Sequence, residues 1–160
     1  YYEEPLPPQD VEGYKALAQR APVAVAAGEA LYTVFDFERL VGARAIDVAQ
    51  PDLTLCGGLD QARAIAMLCQ LHNVGVSPHV WGSPVGLAAA LHFMAALPDY
   101  PHTDHLPYPR MCEYDVGENP LRDHLLTHPL RPVAGHIHVP DGPGLGIELD
   151  PDAVQRFKVA

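Results

Sequence analysis

Apolar positions along this chain switch period several times. Val11, Tyr14, Leu17 and Ala18 recur at three- and four-residue spacing, which predicts a helix over residues 10–21 with Asp10 as its N-cap and Pro22 as its stop. The unbroken apolar run at residues 23–27, closed by Gly28-Glu29, predicts a strand buried on both faces, as in a parallel sheet. Thr33 is placed to cap a second helix reaching about Val41, and residues 45–51 form the next strand candidate. Gly57-Gly58 turns the chain into a helix over residues 59–73, whose inner face carries Ala62, Ile65, Ala66, Leu68 and Cys69. Residues 75–81 read as a further strand, and Ser83-Pro84 opens a helix through Leu97 with proline in its first turn.

After Pro98 the periodicity fades. Residues 98–109 read as a loop rich in Pro, His and Asp, and residues 110–114 as one more strand. From Asp115 the chain is rich in Pro and Gly, with short extended pieces at 136–139 and 147–149 and a helical turn within 152–159. Strands alternating with helices of this size predict βα units on a parallel sheet. Counting the Tyr2-Glu3 end as a strand gives five. The fold class read here is therefore α/β: the later part, about strands 4–8, of a TIM-type (β/α) barrel with an irregular C-terminal tail. Residues 1–115 form the partial barrel and residues 116–160 the tail. A closed barrel needs roughly 200 residues or more. The chain has 160, lacks an initiator Met and opens on what reads as a strand end, so it is expected to be part of a longer protein.

Composition narrows the function classes. Ten Lys+Arg against twenty Asp+Glu give a net charge of −10, which argues against a broad nucleic-acid or anionic-membrane surface. No apolar run reaches membrane-spanning length. The first residues have neither the basic start nor the apolar stretch of a secretion signal. Cys56, Cys69 and Cys112 contain no CxxC pair and read as reduced thiols in a cytoplasmic protein.

The chemistry lies in the strand ends. Glu3, Glu29, Asp52, His79 and Glu113 follow one another at intervals of 26, 23, 27 and 34 residues, each at or just past the C-terminal end of a predicted strand. In a βα barrel that end is where catalytic groups gather. Glu3 and Glu29 on neighbouring strands can hold a hard cation such as Mg²⁺ through oxygen. Asp52 can orient His79 and raise its basicity. Glu113 would face the pocket as an acid or hydrogen-bond donor. Taken one at a time, Glu3 is as readily a solvated loop carboxylate and His79 a packing residue; the order and spacing of the set carry the reading. Among the remaining candidates, His136 and His138 share one face but lack further ligands at zinc-site spacing, and with His102 and His105 are read as loop histidines. The run Gly142–Gly146 lacks the strand-to-helix setting of a dinucleotide loop. Trp81 either lines the pocket or packs beneath a loop.

Four motifs, in this order, resemble the enolase superfamily, mandelate racemase and muconate-lactonizing branch: Tyr2-Glu3-Glu4-Pro5, Ala26-Ala27-Gly28-Glu29, Gln50-Pro51-Asp52 followed by Cys56-Gly57-Gly58, and Pro78-His79-Val80-Trp81. The resemblance extends through Asn119-Pro120-Leu121-Arg122 and the segment Val139–Gly146, nearly the whole chain. It implies that Glu3 and Glu29 are Mg²⁺ ligands at the ends of the fourth and fifth barrel strands. It implies an Asp52–His79 dyad, and a Glu113 that hydrogen-bonds the substrate carboxylate. It also implies abstraction of the proton α to a carboxylate, which this superfamily achieves with a Lys or His base and Mg²⁺.

The third metal carboxylate, a Lys acid/base and an N-terminal capping domain of such relatives would precede Tyr1. The 160 residues alone are therefore expected to be inactive. The tail is expected to pack on that capping domain, and the incomplete barrel to leave open edges that favour self-association. Dehydration of an acid sugar, a hydroxy-carboxylate, to a 2-keto-3-deoxy acid is the expected reaction. A racemase or epimerase, and a non-catalytic barrel fragment, are the alternatives. The implied partners are a small acid sugar and other copies of the chain, a homo-oligomer.

Overall fold

A computed structural model describes residues 1–98 and 110–159. The expected loop at 98–109, with His102 and His105, falls almost wholly outside the described residues. Four parallel strands, β1 (Tyr2–Glu3), β2 (Val25–Ala27), β3 (Val48–Ala49) and β4 (Gly75–Val76), pair in chain order. The register joins Glu3 to Ala26, Ala27 to Ala49 and Ala49 to Val76. Between them run α1 (Val11–Ala18), α2 (Val34–Gly42) and α3 (Gly58–His72), and α4 (Pro84–Ala96) follows β4. Sequential parallel order with a helix in each connection is the geometry of a barrel arc, so the chain is part of a TIM-type barrel. Among the described residues no helix is long and apolar enough to cross a membrane.

The helices start where local chemistry directs. The Asp10 carboxylate accepts from the Gly13 N–H at 2.9 Å, and Ser83 Oγ from Gly86 N–H at 3.3 Å. Thr33 sits at the α2 N-cap in extended backbone, but its side chain makes no capping bond. Gln61 Oε1 takes the Val34 N–H instead, at 3.4 Å, so a neighbouring helix supplies this cap. Gly57, at φ 102°, supplies the left-handed conformation that swings the chain into α3.

The core lies between sheet and helices. Val25, Ala26 and Ala27 are fully buried, as the unbroken apolar run requires. Phe37, Leu40 and Val41 of α2 and Ala62, Ile65 and Cys69 of α3 cover one face of the sheet. Phe37 also packs where Gly28 lacks a side chain: a Cβ there would lie 2.5 Å from Phe37 Cε1. Phe37→Ala is therefore expected to cost about 3–5 kcal/mol, read as a lower urea midpoint with little change in slope.

Two expectations need correction. Residues 110–114 do not form a fifth strand among the described residues. Pro78, fully buried just past β4, has no N–H to offer a ladder there. The segment is held instead by side chains: Ser77 Oγ donates to the Met111 carbonyl at 3.4 Å, and Val80 N–H to the Glu113 carboxylate at 2.8 Å. The tail is also more ordered than its composition suggests. It contains α5 (Pro120–His124), capped by Asn119, which was not expected, and α6 (Pro151–Phe157), capped by Asp150, which is the expected closing helical turn. The extended pieces at 136 and 149 reduce to single bridges, Val133 with His136 and Leu126 with Leu149.

Candidate functional site

The ends of β1, β2 and β4 and the segment that carries Glu113 bring four of the five candidate residues together. Glu3, Glu29, His79 and Glu113 line one open cavity of about 410 Å³, with Tyr1, Val80, Trp81, Tyr114 and Asp115. Asp52 stands behind His79 rather than on the wall. Trp81 is 71% exposed and lines the cavity rather than packing beneath a loop.

His79 Nδ1 lies 2.8 Å from Asp52 Oδ2, a hydrogen bond on the side away from the cavity. Asp52 is held in turn by Thr54, whose N–H and hydroxyl reach Oδ1 at 2.7 and 2.6 Å. The hydrogen bond to Asp52 raises the His79 pKa against the lowering effect of burial, and Glu29 and Glu113 add to the rise. Burial alone would raise the Asp52 carboxyl, but the hydrogen bonds from His79 and Thr54 outweigh it and leave it below its ordinary value. A neutral ring that donates Nδ1–H to Asp52 presents the Nε2 lone pair to the cavity. Nε2 is 3.6 Å from Glu29 Oε2, an ion-pair distance and not a hydrogen bond.

The signs of the two shifts give a pH dependence. His79's raised pKa stabilises the fold below the ordinary imidazole value and stops doing so as pH rises through the folded-state pKa. Asp52's lowered pKa stabilises above the ordinary carboxylate value, and that contribution is lost as pH falls through its folded-state pKa. Asp52→Asn should therefore lower the His79 pKa toward its ordinary value and flatten the pH dependence of stability at both ends. An NMR titration of the His79 ring protons, beside melts across pH, checks this.

Hydrogen bonds anchor Glu113 and Glu3. Glu113 Oε2 accepts from Val80 N–H, and its Oε1 lies 3.0 Å from Gln50 Nε2. Burial pushes the Glu113 carboxyl up, the Val80 N–H pulls it down, and the negative charge of Glu3 adds to the rise. Glu3 Oε1 is 2.5 Å from the same Gln50 Nε2. Glu29 follows Gly28, whose φ of 135° lets the chain leave β2 toward the cavity. Glu4 turns away from Glu3, and its Oε1 accepts the Gly28 N–H at 2.9 Å. Glu4 has a φ of 39°, a strained value for a residue with a Cβ.

A divalent cation can be judged against this donor set. Glu3 and Glu29 are hard oxygen donors from hydrogen-bonded neighbouring strands, and both open on one cavity. Mg²⁺ is commonly held by one or two carboxylates, with water and substrate oxygens completing the octahedron. The pair fits that demand. Among the described residues no group of three His, Cys, Asp or Glu side chains is close enough to form a fuller cage.

Gln50, which the sequence presents only as part of a motif, is the link between Glu3 and Glu113. It is fully buried, and with Asp52 it makes up the buried polar side chains of the described core. The available signal was a polar residue interrupting the apolar strand run that ends at Ala49.

Known proteins share this framework. A family model described as enolase C-terminal domain-like matches residues 1–153. A D-galactarolactone cycloisomerase from Agrobacterium fabrum is 40% identical over 99% of the chain, and a D-xylonate dehydratase from Haloferax volcanii is 31% identical over 99%. The chain spans 42% and 36% of the lengths of these two relatives. The crystal structure of the 3,6-anhydro-D-galactonate cycloisomerase from Zobellia galactanivorans superposes with a TM-score of 0.86 at 37% identity, covering 98% of this chain and 42% of that one.

Proposed function

This chain belongs to the enolase superfamily, in its mandelate racemase and muconate-lactonizing branch, and from that membership we propose that the whole protein removes the proton α to the carboxylate of an acid sugar. The observation that carries the reading is the His79–Asp52 hydrogen bond at 2.8 Å behind a ring whose other nitrogen faces a carboxylate-lined cavity. Such a pair supplies a positioned base beside oxygen ligands.

In this reading Glu3 and Glu29 hold Mg²⁺. When bound, that cation supplies positive charge where negative charge develops on the substrate carboxylate. His79 Nε2 takes the α-proton, and the electron pair of the broken C–H bond moves into the carboxylate as an enediolate. Asp52 holds the imidazolium that forms. Glu113, its carboxyl pushed up by burial and by the charge of Glu3, takes up a proton as the anionic substrate binds and donates it in a hydrogen bond to the substrate carboxylate. The electron pair then returns to form a C2–C3 double bond as the C3 hydroxyl leaves, protonated by the imidazolium, as water. The resulting enol becomes a 2-keto-3-deoxy acid. Atoms balance as acid sugar to keto acid plus water.

The 40% identity to a cycloisomerase favours a second reading within the same chemistry. There the C3 leaving group is a ring oxygen of the substrate, so the ring opens and no water is released. Racemisation or epimerisation, the alternative within the branch, would need a second base on the opposite face of the substrate, which in such relatives is a Lys from a strand that would precede Tyr1. The partner class is a small acid sugar, and the whole enzyme is a cytoplasmic homo-oligomer. Residues 1–115 supply barrel strands, and residues 116–160 a tail that packs on a capping domain.

The test is a panel of acid sugars and their lactones or anhydro forms, incubated with the whole protein and Mg²⁺. A 2-keto-3-deoxy acid from an open-chain acid sugar supports dehydration, and one from a bridged acid sugar supports cycloisomerisation. No keto acid or altered lactone from any member would contradict the proposal.

A further inference from the structure

We propose that Gln50 is a positioning residue whose side-chain amide, shared between Glu3 and Glu113, fixes how both carboxylates face the cavity. The inference rests on the reading of Glu3 as a metal ligand and goes beyond it.

Three observations point the same way. First, one nitrogen serves two carboxylates. Gln50 Nε2 is 2.5 Å from Glu3 Oε1 and 3.0 Å from Glu113 Oε1, so each of its two hydrogens has a carboxylate acceptor. The bonds span 47 and 63 residues of sequence and tie β1 to the segment after β4 through the end of β3. Second, the amide orientation is forced. Turning it over would set the carbonyl oxygen against two carboxylates. Third, the orientation has a cost. Gln50 Oε1 is buried and has no hydrogen-bond partner among the described residues. An unpaired buried acceptor is destabilising, and an apolar residue of similar shape would avoid it. A residue kept for packing alone would not hold that oxygen there, whereas one that must donate twice has no other place for it.

The backbone fixes Gln50 in turn. Its N–H donates to the Ala27 carbonyl at 3.0 Å, extending the β2–β3 pairing past β3 and bringing Gln50 alongside Gly28. A Cβ on Gly28 would lie 3.1 Å from that nitrogen. Glu3 and Glu113 would repel one another across the cavity floor. The amide between them holds one oxygen of each carboxyl and so fixes the direction in which both face the cavity. Partners of this kind, which orient a ligating carboxylate, change metal affinity about 10- to 100-fold when removed.

The experiment titrates Mn²⁺, as a paramagnetic stand-in for Mg²⁺, into the whole protein without substrate and follows free Mn²⁺ by electron paramagnetic resonance. Gln50→Met keeps the volume and removes both donors, and is expected to weaken Mn²⁺ binding about 10- to 100-fold. Gln50→Asn keeps an amide too short to span both carboxylates and should weaken it by a smaller factor, at least about threefold. Melting curves separate packing from positioning, since a purely structural Gln50 would lower the melting temperature and leave affinity alone. If Gln50→Met does not fold, Gln50→Asn decides: affinity within twofold of the parent overturns the proposal, and a larger loss supports it. Glu3→Gln keeps the two failures distinct. Unchanged Mn²⁺ binding in Glu3→Gln removes the metal reading on which the proposal rests. A loss in Glu3→Gln with none in either Gln50 variant removes the role of Gln50 alone.

Discussion

Replacing His79 by asparagine should lower the kcat of the whole enzyme by about 10²- to 10⁴-fold while leaving the fold in place. The ring nitrogen that faces the cavity is the proposed base, and a positioned general base contributes rate of that order. Asparagine keeps a polar group in reach of Asp52, so the buried carboxylate is not left without a donor. The melting temperature should then shift by only a few degrees, and KM should change far less than kcat. Steady-state kinetics with the substrate found in the acid-sugar panel, beside a thermal melt, separates the two effects. A variant that retained kcat within a factor of about three would remove His79 from the proton transfer.

The second large effect concerns the cation. Glu29→Gln should weaken Mg²⁺ or Mn²⁺ binding at least about 100-fold, more than the loss of a supporting hydrogen bond brings. The amide has nearly the same shape as the carboxylate it replaces, so the difference is one negative charge and one donor oxygen. Titration calorimetry measures the affinity directly, and turnover restored only at high Mg²⁺ would show that the variant is folded but starved of metal. Prolonged chelation of the parent protein should abolish turnover reversibly for the same reason. Affinity that did not change in Glu29→Gln would remove Glu29 from the ligand set.

Much of this site was legible because a parallel sheet makes it periodic. A strand, a helix and two connections fill 23 to 27 residues between Glu3 and His79, and a functional side chain near each strand end leaves that interval in the sequence. The apolar run at residues 23–27 made β2 plain, since a strand buried on both faces cannot afford alternation. Asp10, Ser83 and Pro84 marked helix starts by residue type alone.

What escaped the sequence depended on contacts across the fold. Nothing in the type of Gln50 distinguishes a bridging amide from a surface one. Its role appears only when Glu3 and Glu113, far apart in sequence, arrive on either side of it. The missing cap of Thr33 follows from Gln61, which reaches over from α3. Residues 110–114 have a strand-like pattern, but pairing is decided by the neighbour, where Pro78 offers no donor. The small helix α5 does carry a local signal: Asn119-Pro120 is an N-cap followed by proline at the first helical position.

Deuterium at the abstracted position follows the proposed proton transfer itself. The substrate identified in the panel is synthesised with deuterium at the carbon α to the carboxylate and given to the whole protein and to its His79→Asn variant in Mg²⁺ buffer. Loss of that deuterium at the rate of product formation by the parent, and its near-complete retention with the variant, is the result predicted. Product formed with the deuterium still on the α-carbon would contradict the account, because no proton would then have been taken from the position that His79 is placed to reach.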